Sequence, residues 1–161
     1  MNDLTIPDII DNQTVKLSDV LNQLIGTNSS VYIATAYFNL EGFNLIKDKL
    51  KQAKEVKILI GKEPSSDQIL TREVIEAKIQ QEIEDKIDDK STVNLIDEFL
   101  SFLNNQSVEI KIFKDVFFHG KFYIIAGGIP TVGSIAIVGS SNLTYAGLTV
   151  NTEFNSVIKQ E

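Results

Sequence analysis

Short apolar runs separated at first by helix-length amphipathic stretches, and then following one another closely, constrain the fold of this chain more than any other feature. Residues 31–38 (Val-Tyr-Ile-Ala-Thr-Ala-Tyr-Phe) predict a buried strand, and residues 56–60 a second one closed by Gly61. Ser18 is placed to cap a helix that runs through Leu21 and Leu24 to about Ile25. Over residues 40–53, Phe43, Ile46 and Leu50 share one helical face. From Ile69 to about Lys90, Val74, Ile75, Ile79, Ile83 and Ile87 recur among charges and predict a long amphipathic helix. Leu95, Ile96, Phe99, Leu100 and Leu103 predict another after it. Residues 108–113 alternate strictly, which gives a strand with one solvated face. Residues 118–126 and 134–139 read as two strands joined by the turn-rich stretch 127–133, and residues 153–159 as a last strand. The order predicts an α/β fold, a mixed sheet sandwiched between helices.

Composition narrows what such a domain does. With 161 residues and no internal repeat or linker, the chain reads as one domain with a real core. No apolar run approaches the length of a membrane span, and Met1-Asn2-Asp3-Leu4 lacks a secretory signal, so a cytoplasmic location and no membrane partner are expected. The absence of cysteine excludes disulfides and thiolate metal sites, and a single histidine argues against a zinc centre. The expectation is therefore a site with no metal and no cofactor. The net charge of −7 speaks against a nucleic-acid partner only until its distribution is seen. Residues 63–98 hold eleven acidic and four basic side chains, whereas the rest of the chain holds eleven of each. The acidity belongs to one segment, and the candidate site lies outside it.

That site begins with the lone histidine, His119, two residues before Lys121, and continues across the expected hairpin as Gly139-Ser140-Ser141-Asn142. Imidazole is a nucleophile largely neutral near pH 7. Lys121, Ser140 and Asn142 suit the oxygens of a phosphate during transfer. At i and i+2 on a strand, His119 and Lys121 would leave the same face. Alone, a histidine beside a lysine is more often a structural or surface residue, and Asn142 is equally suited to cap the helix after it. Tyr37 and Phe38 read as core or cleft wall. Gly61-Lys62 lacks the glycine and hydroxyl residue of a phosphate loop, but Lys62 follows a strand end where it can border a cleft and bind substrate.

His119, Lys121, Gly139, Ser140 and Asn142 match the His-x-Lys and Gly-Ser-x-Asn signature of the phospholipase D superfamily, which the chain resembles. Residues 11–12, 17–22, 34–39, 59–64 and 139–148 extend the likeness to the phospholipase D-like domain at the N-terminus of bacterial DEAD/DEAH-box or SNF2-type helicases, many tied to restriction. Ala126 stands where the family places an aspartate, and Glu153 stands where it places a carboxylate that hydrogen-bonds the histidine. The resemblance implies catalytic roles for His119, Lys121, Ser140, Asn142 and Glu153; Ser141, within the same run, and Lys62, after its strand end, are expected to touch substrate. The resemblance also implies a phosphohistidine intermediate formed without metal. The family mechanism needs two histidines and this chain has one, so a homodimer is expected. The substrate expected is DNA or another nucleic acid, and an expected further partner is a helicase ATPase domain of a longer chain. Two other readings stay open: a decayed nucleic-acid-binding or dimerisation module, which Ala126 favours, and phospholipid hydrolysis.

Overall fold

The strand-forming runs assemble into one mixed seven-stranded sheet. The computed structural model describes residues 6–61, 90–113, 116, 118–129 and 133–160. In chain order the elements are β1 (Ile9–Ile10), α1 (Leu17–Leu24), β2 (Ser30–Thr35), α2 (Leu40–Gln52), β3 (Glu55–Ile60), α3 (Lys90–Leu103), β4 (Val108–Ile112), β5 (Phe122–Ile129), β6 (Gly133–Gly139), α4 (Tyr145–Thr149) and β7 (Asn155–Lys159). The seven strands lie in the order β1-β7-β6-β5-β2-β3-β4. Strands β2, β3 and β4 are parallel, and every other pairing is antiparallel. The mixed α/β class expected from the sequence is the one observed. The amphipathic stretch from Ile69 to about Lys90, apart from its last residue, and Lys62 lie outside the described residues.

Strand alternation decides which side chains enter the core. Val31 and Ile33 of β2, Val56 and Ile58 of β3, Tyr123 and Ile125 of β5, and Ile135 and Ile137 of β6 are all buried. They meet Leu17, Leu21 and Leu24 of α1 and Phe43, Ile46 and Leu50 of α2 in one cluster. Phe38, Phe43, Phe99 and Phe102 interlock where α2 meets α3, with Phe43 edge-on to Phe99 at 4.9 Å. Above them, hydrogen bonds from Lys47 and then Lys51 hold the Glu98 carboxyl down at about 2. The opposite sheet face carries half-buried Tyr32, Leu59 and Phe122 and exposed Val138 and Ile158.

Element ends differ from the sequence expectation where side chains found better partners. Helix α1 starts two residues earlier than a Ser18 cap implies, at Leu17 after Lys16, and Ser18 is buried inside its first turn rather than capping it. Asn12 takes over the capping task, its Oδ1 accepting from Leu17 N at 2.9 Å. Its backbone is left-handed (φ 64°), a conformation asparagine tolerates. Its Nδ2 donates to the carbonyls of Gly147 at 2.8 Å and Asn151 at 3.2 Å, tying the N-terminal segment to α4. Strand β2 stops at Thr35 instead of Phe38, because the next residues leave β3 to bridge Phe38 with Leu143. Asn39 then caps α2, its Oδ1 accepting from Gly42 N at 2.8 Å.

Candidate active site

Antiparallel register carries the two halves of the motif to the same edge of the sheet. Phe122 pairs with Val138 and Gly139 pairs with Asn155, so β5, β6 and β7 lie side by side just where Lys121, Ser140 and Glu153 leave the ladder. Gly139 N donates to the Lys121 carbonyl at 3.3 Å, and Ser140 N to that of Phe154 at 3.0 Å. Strand β2 reaches the same edge, since Ala34 pairs with Phe122 and Thr35 comes next. At the end of β3, a side chain on Gly61 would meet the Phe118 carbonyl at 2.5 Å, so the approach to His119 presses closely on that glycine.

The two residues of the His-x-Lys pair do not behave as alternate positions of a strand. Strand β5 begins at Phe122, after both of them, and His119 is exposed whereas Lys121 is only 7 % exposed. The Lys121 ammonium turns back to donate to the His119 carbonyl at 2.8 Å, which ties the two residues together through the backbone. Burial pushes the Lys121 ammonium below its usual value, and the Glu153 carboxylate opposes that shift. Glu153 is held firmly: Ser140 Oγ donates to its Oε2, Asn151 Nδ2 to its Oε1 at 3.3 Å, and its own N–H to the Asp11 carbonyl at 3.1 Å. Ser140 Oγ in turn accepts from Phe154 N at 3.0 Å.

Asn142 does not cap α4. Thr144 does, accepting from Gly147 N at 3.1 Å, and this leaves the Asn142 carboxamide to the sheet edge. Its Oδ1 accepts from Tyr37 N at 3.1 Å, and among the described residues its Nδ2 has no acceptor. Ser141, expected to touch substrate, is instead fully buried. Its Oγ accepts from Asn155 Nδ2 at 2.9 Å and its N–H donates to Asn155 Oδ1 at 3.2 Å, so it anchors the loop from below. Tyr123, whose phenol burial and the Glu153 charge both push upward in pKa, donates to the Ser141 carbonyl at 3.1 Å. Sequence reading missed Thr35, Tyr123 and Asn155. The one available signal was a polar side chain at a strand end, Thr35 closing β2 and Asn155 opening β7.

The arrangement offers a nucleophile, a buried cation, a carboxamide donor and an oriented hydroxyl–carboxylate pair at one edge. These are the groups that attack and neutralise a tetrahedral phosphate. A shallow groove of about 210 Å³ between Tyr32, Leu59, Lys111 and Phe122 lies on the opposite face and is lined by none of them. Among the described residues, no cluster of three or more His, Asp or Glu is placed to hold a metal ion. No described helix is long and apolar enough to cross a membrane.

Replacing Lys121 by methionine should separate chemistry from stability. If the site transfers phosphate, loss of one pre-placed cation slows that step by about a hundredfold or more. Stability should hold or rise at neutral pH. A lysine whose pKa falls on folding holds its proton more tightly in the unfolded chain, so below its folded pKa it opposes folding. That cost fades as the pH rises toward 10.5, the ordinary lysine value, and the gap in melting temperature between the methionine variant and wild type should close over the same range. A melting temperature for Lys121→Met well below wild type at pH 7 would show that the ammonium–carbonyl bond outweighs the burial.

The family model for the phospholipase D-like domain of cardiolipin synthase matches residues 20–161. No curated protein sequence matches the chain. Among solved structures, the SCAN1 mutant of yeast tyrosyl-DNA phosphodiesterase 1 is similar over 85% of this chain and 27% of its own, at 10% identity and a TM-score of 0.47. NucT from Helicobacter pylori is similar over 88% of this chain and 73% of its own, at 15% identity and a TM-score of 0.46. The chain thus spans about a quarter of the yeast enzyme and about three quarters of NucT.

Proposed function

The chain belongs to the phospholipase D-like family, and from that premise we propose that it is a metal-independent phosphodiesterase that cleaves nucleic acid, most specifically DNA, at the interface of a homodimer. The observation that carries this reading is the gathering of Lys121, Ser140, Asn142 and Glu153 beside the approach to His119 at one sheet edge. In the first step an imidazole nitrogen of His119 bonds to phosphorus as the P–O bond to the leaving strand breaks. The partner's His119 protonates that leaving oxygen. It then takes a proton from water, whose oxygen displaces the imidazole and releases the phosphate monoester. Two Lys121 ammonium groups and two Asn142 carboxamides, one set from each subunit, hold the non-bridging oxygens while charge moves. Glu153 steadies the cationic imidazole, as the carboxylate of a hydrolase triad does.

Nucleic acid is favoured as substrate by the side chains around the edge. Tyr37 beside the Asn142 cradle, Tyr145 at the start of α4 and Phe154 next to Glu153 are 37%, 49% and 62% exposed. Exposed rings beside a phosphate site offer stacking surfaces to bases. The same reading makes these residues one domain of a restriction-linked helicase, acting in the cytoplasm, with the ATPase domain as its partner.

Ala126 favours a decayed module on sequence grounds, but its position weakens that argument. The unbroken β2–β5 register pairs it with Ser30, five residues along from Lys121. That is about 17 Å of extended strand, and its parity puts it on the face opposite Tyr123 and Ile125. An aspartate there would lie far from the reacting groups. Cleavage of single- and double-stranded DNA in excess EDTA tests the proposal. Chelator-resistant cleavage by a dimer supports it. A folded dimer without activity would point to the binding module, and strong binding to anionic liposomes with lipid hydrolysis would point to a phospholipase.

A further inference from the structure

We infer that Thr35 is a positioning residue that sets which end of the Asn142 carboxamide faces the phosphate. The inference rests on the phosphodiesterase reading for its kinetic consequence, and on geometry alone for the orientation itself. Thr35 is the last residue of β2 and is fully buried, a polar side chain at the end of an apolar strand. Its hydroxyl accepts from Leu143 N at 2.9 Å and donates to the Tyr37 carbonyl at 2.7 Å, with Asn142 Oδ1 a longer alternative at 3.3 Å. Its own carbonyl accepts from Gly61 N at 2.8 Å. One residue therefore fastens the segment after β2, the segment after β6 and the end of β3.

The consequence falls on Asn142, which stands between two of those points. A carboxamide has an acceptor end and a donor end that differ little in shape, so either can face a ligand unless the surroundings choose. Here the Tyr37 N–H points at Asn142 and can only donate, so the acceptor Oδ1 must turn toward it. Nδ2 is then left facing away, with two N–H groups for an anionic oxygen. The choice depends on Tyr37 N staying where it is. Without the Thr35 hydroxyl neither the Tyr37 carbonyl nor Leu143 N is held, and the carboxamide can turn its oxygen, which repels phosphate, into the cleft.

The test compares Thr35→Val, which keeps shape and loses the hydroxyl, with Thr35→Ser, which keeps the hydroxyl, each alone and with Asn142→Ala. Initial rates of DNA cleavage in EDTA should fall about tenfold or more in kcat for Thr35→Val and stay within about threefold for Thr35→Ser. With Asn142 already alanine, Thr35→Val should cost less than about twofold more, because the group it positions is gone. Hydrogen exchange at the Tyr37 amide supplies a readout that needs no activity. It should be slow in wild type and Thr35→Ser, and at least tenfold faster in Thr35→Val and in Asn142→Ala. Equal kcat losses in both backgrounds, or a tenfold loss in folded Thr35→Ser, would overturn the positioning role. Unchanged Tyr37 exchange in Asn142→Ala would overturn the orientation itself, even if Thr35→Val does not fold. A wild-type protein without cleavage would remove the phosphodiesterase reading, and the exchange rates would still decide the orientation.

Discussion

Replacing His119 by alanine is expected to abolish DNA cleavage, by on the order of 10⁴-fold, while leaving the fold and the dimer intact. The imidazole is the nucleophile of the proposed covalent step, and the chain holds no other histidine to substitute for it. Removing a covalent nucleophile costs far more than removing a positioning group, because the step loses its route rather than some of its stabilisation. Little stability should be lost, since His119 is exposed and lies outside the strands. Mixing the variant with wild type sharpens the result. If each site needs a histidine from both subunits, heterodimers are dead, and an equal mixture after subunit exchange keeps about a quarter of the activity rather than about half. Half would mean that each subunit works alone, which would remove the shared-site mechanism. Full activity in His119→Ala would remove the phosphohistidine altogether.

How much of this was legible in the sequence depended on which forces were local. The apolar runs of β2 and β3 and the 3.6-residue period of α2 are local signals, and all three elements formed within a few residues of their expected positions. The ends moved where a different side chain from the expected one took the cap. Ser18 had the residue type of a cap, but Asn12 reached Leu17 N first from outside the helix. Asn142 had the same aptitude, and Thr144 took the role. Both capping bonds are short in sequence, but what holds Asn12 in place is not: its Nδ2 donates to the carbonyls of Gly147 and Asn151, 135 and 139 positions away, and no window along the chain contains them. At the site, residue types pointed to Lys121, Ser140, Asn142 and Glu153, and the fold brought them together. Ser141 shares the motif but not the environment, because strand parity after Gly139 turns it toward Asn155. The residues that brace the motif, Thr35, Tyr123 and Asn155, carry no chemistry of their own and become visible only once β2, β5 and β7 are side by side.

Gly139→Ala should be the most damaging single methyl group that can be added at the site. Its Cβ would stand 2.1 Å from the Phe154 carbonyl oxygen, 2.6 Å from Asn155 Cα and 2.6 Å from Asn155 Oδ1. Two of these contacts are backbone atoms of the neighbouring strand, so relief requires β7 to move away from β6. That movement breaks the Ser140 N bond to the Phe154 carbonyl and loosens the Asn155 clamp on Ser141. It also carries Glu153 away from the Ser140 hydroxyl. Strain of this kind in a packed ladder is expected to cost about 3 kcal/mol or more by urea denaturation. Cleavage measured well below the melting temperature should fall at least about tenfold, since the hydroxyl–carboxylate pair is no longer in place. Gly127→Ala is the control. It lies near the far end of the same hairpin with φ at 74°, and its Cβ would meet only the Asn28 carbonyl at 3.2 Å. It should cost about 1 kcal/mol through backbone strain and leave kcat unchanged. If both variants lost kcat in step with stability, the damage would be global. Loss of kcat in Gly139→Ala alone would show that the β6–β7 spacing sets the distance between Ser140 and Glu153 at the site.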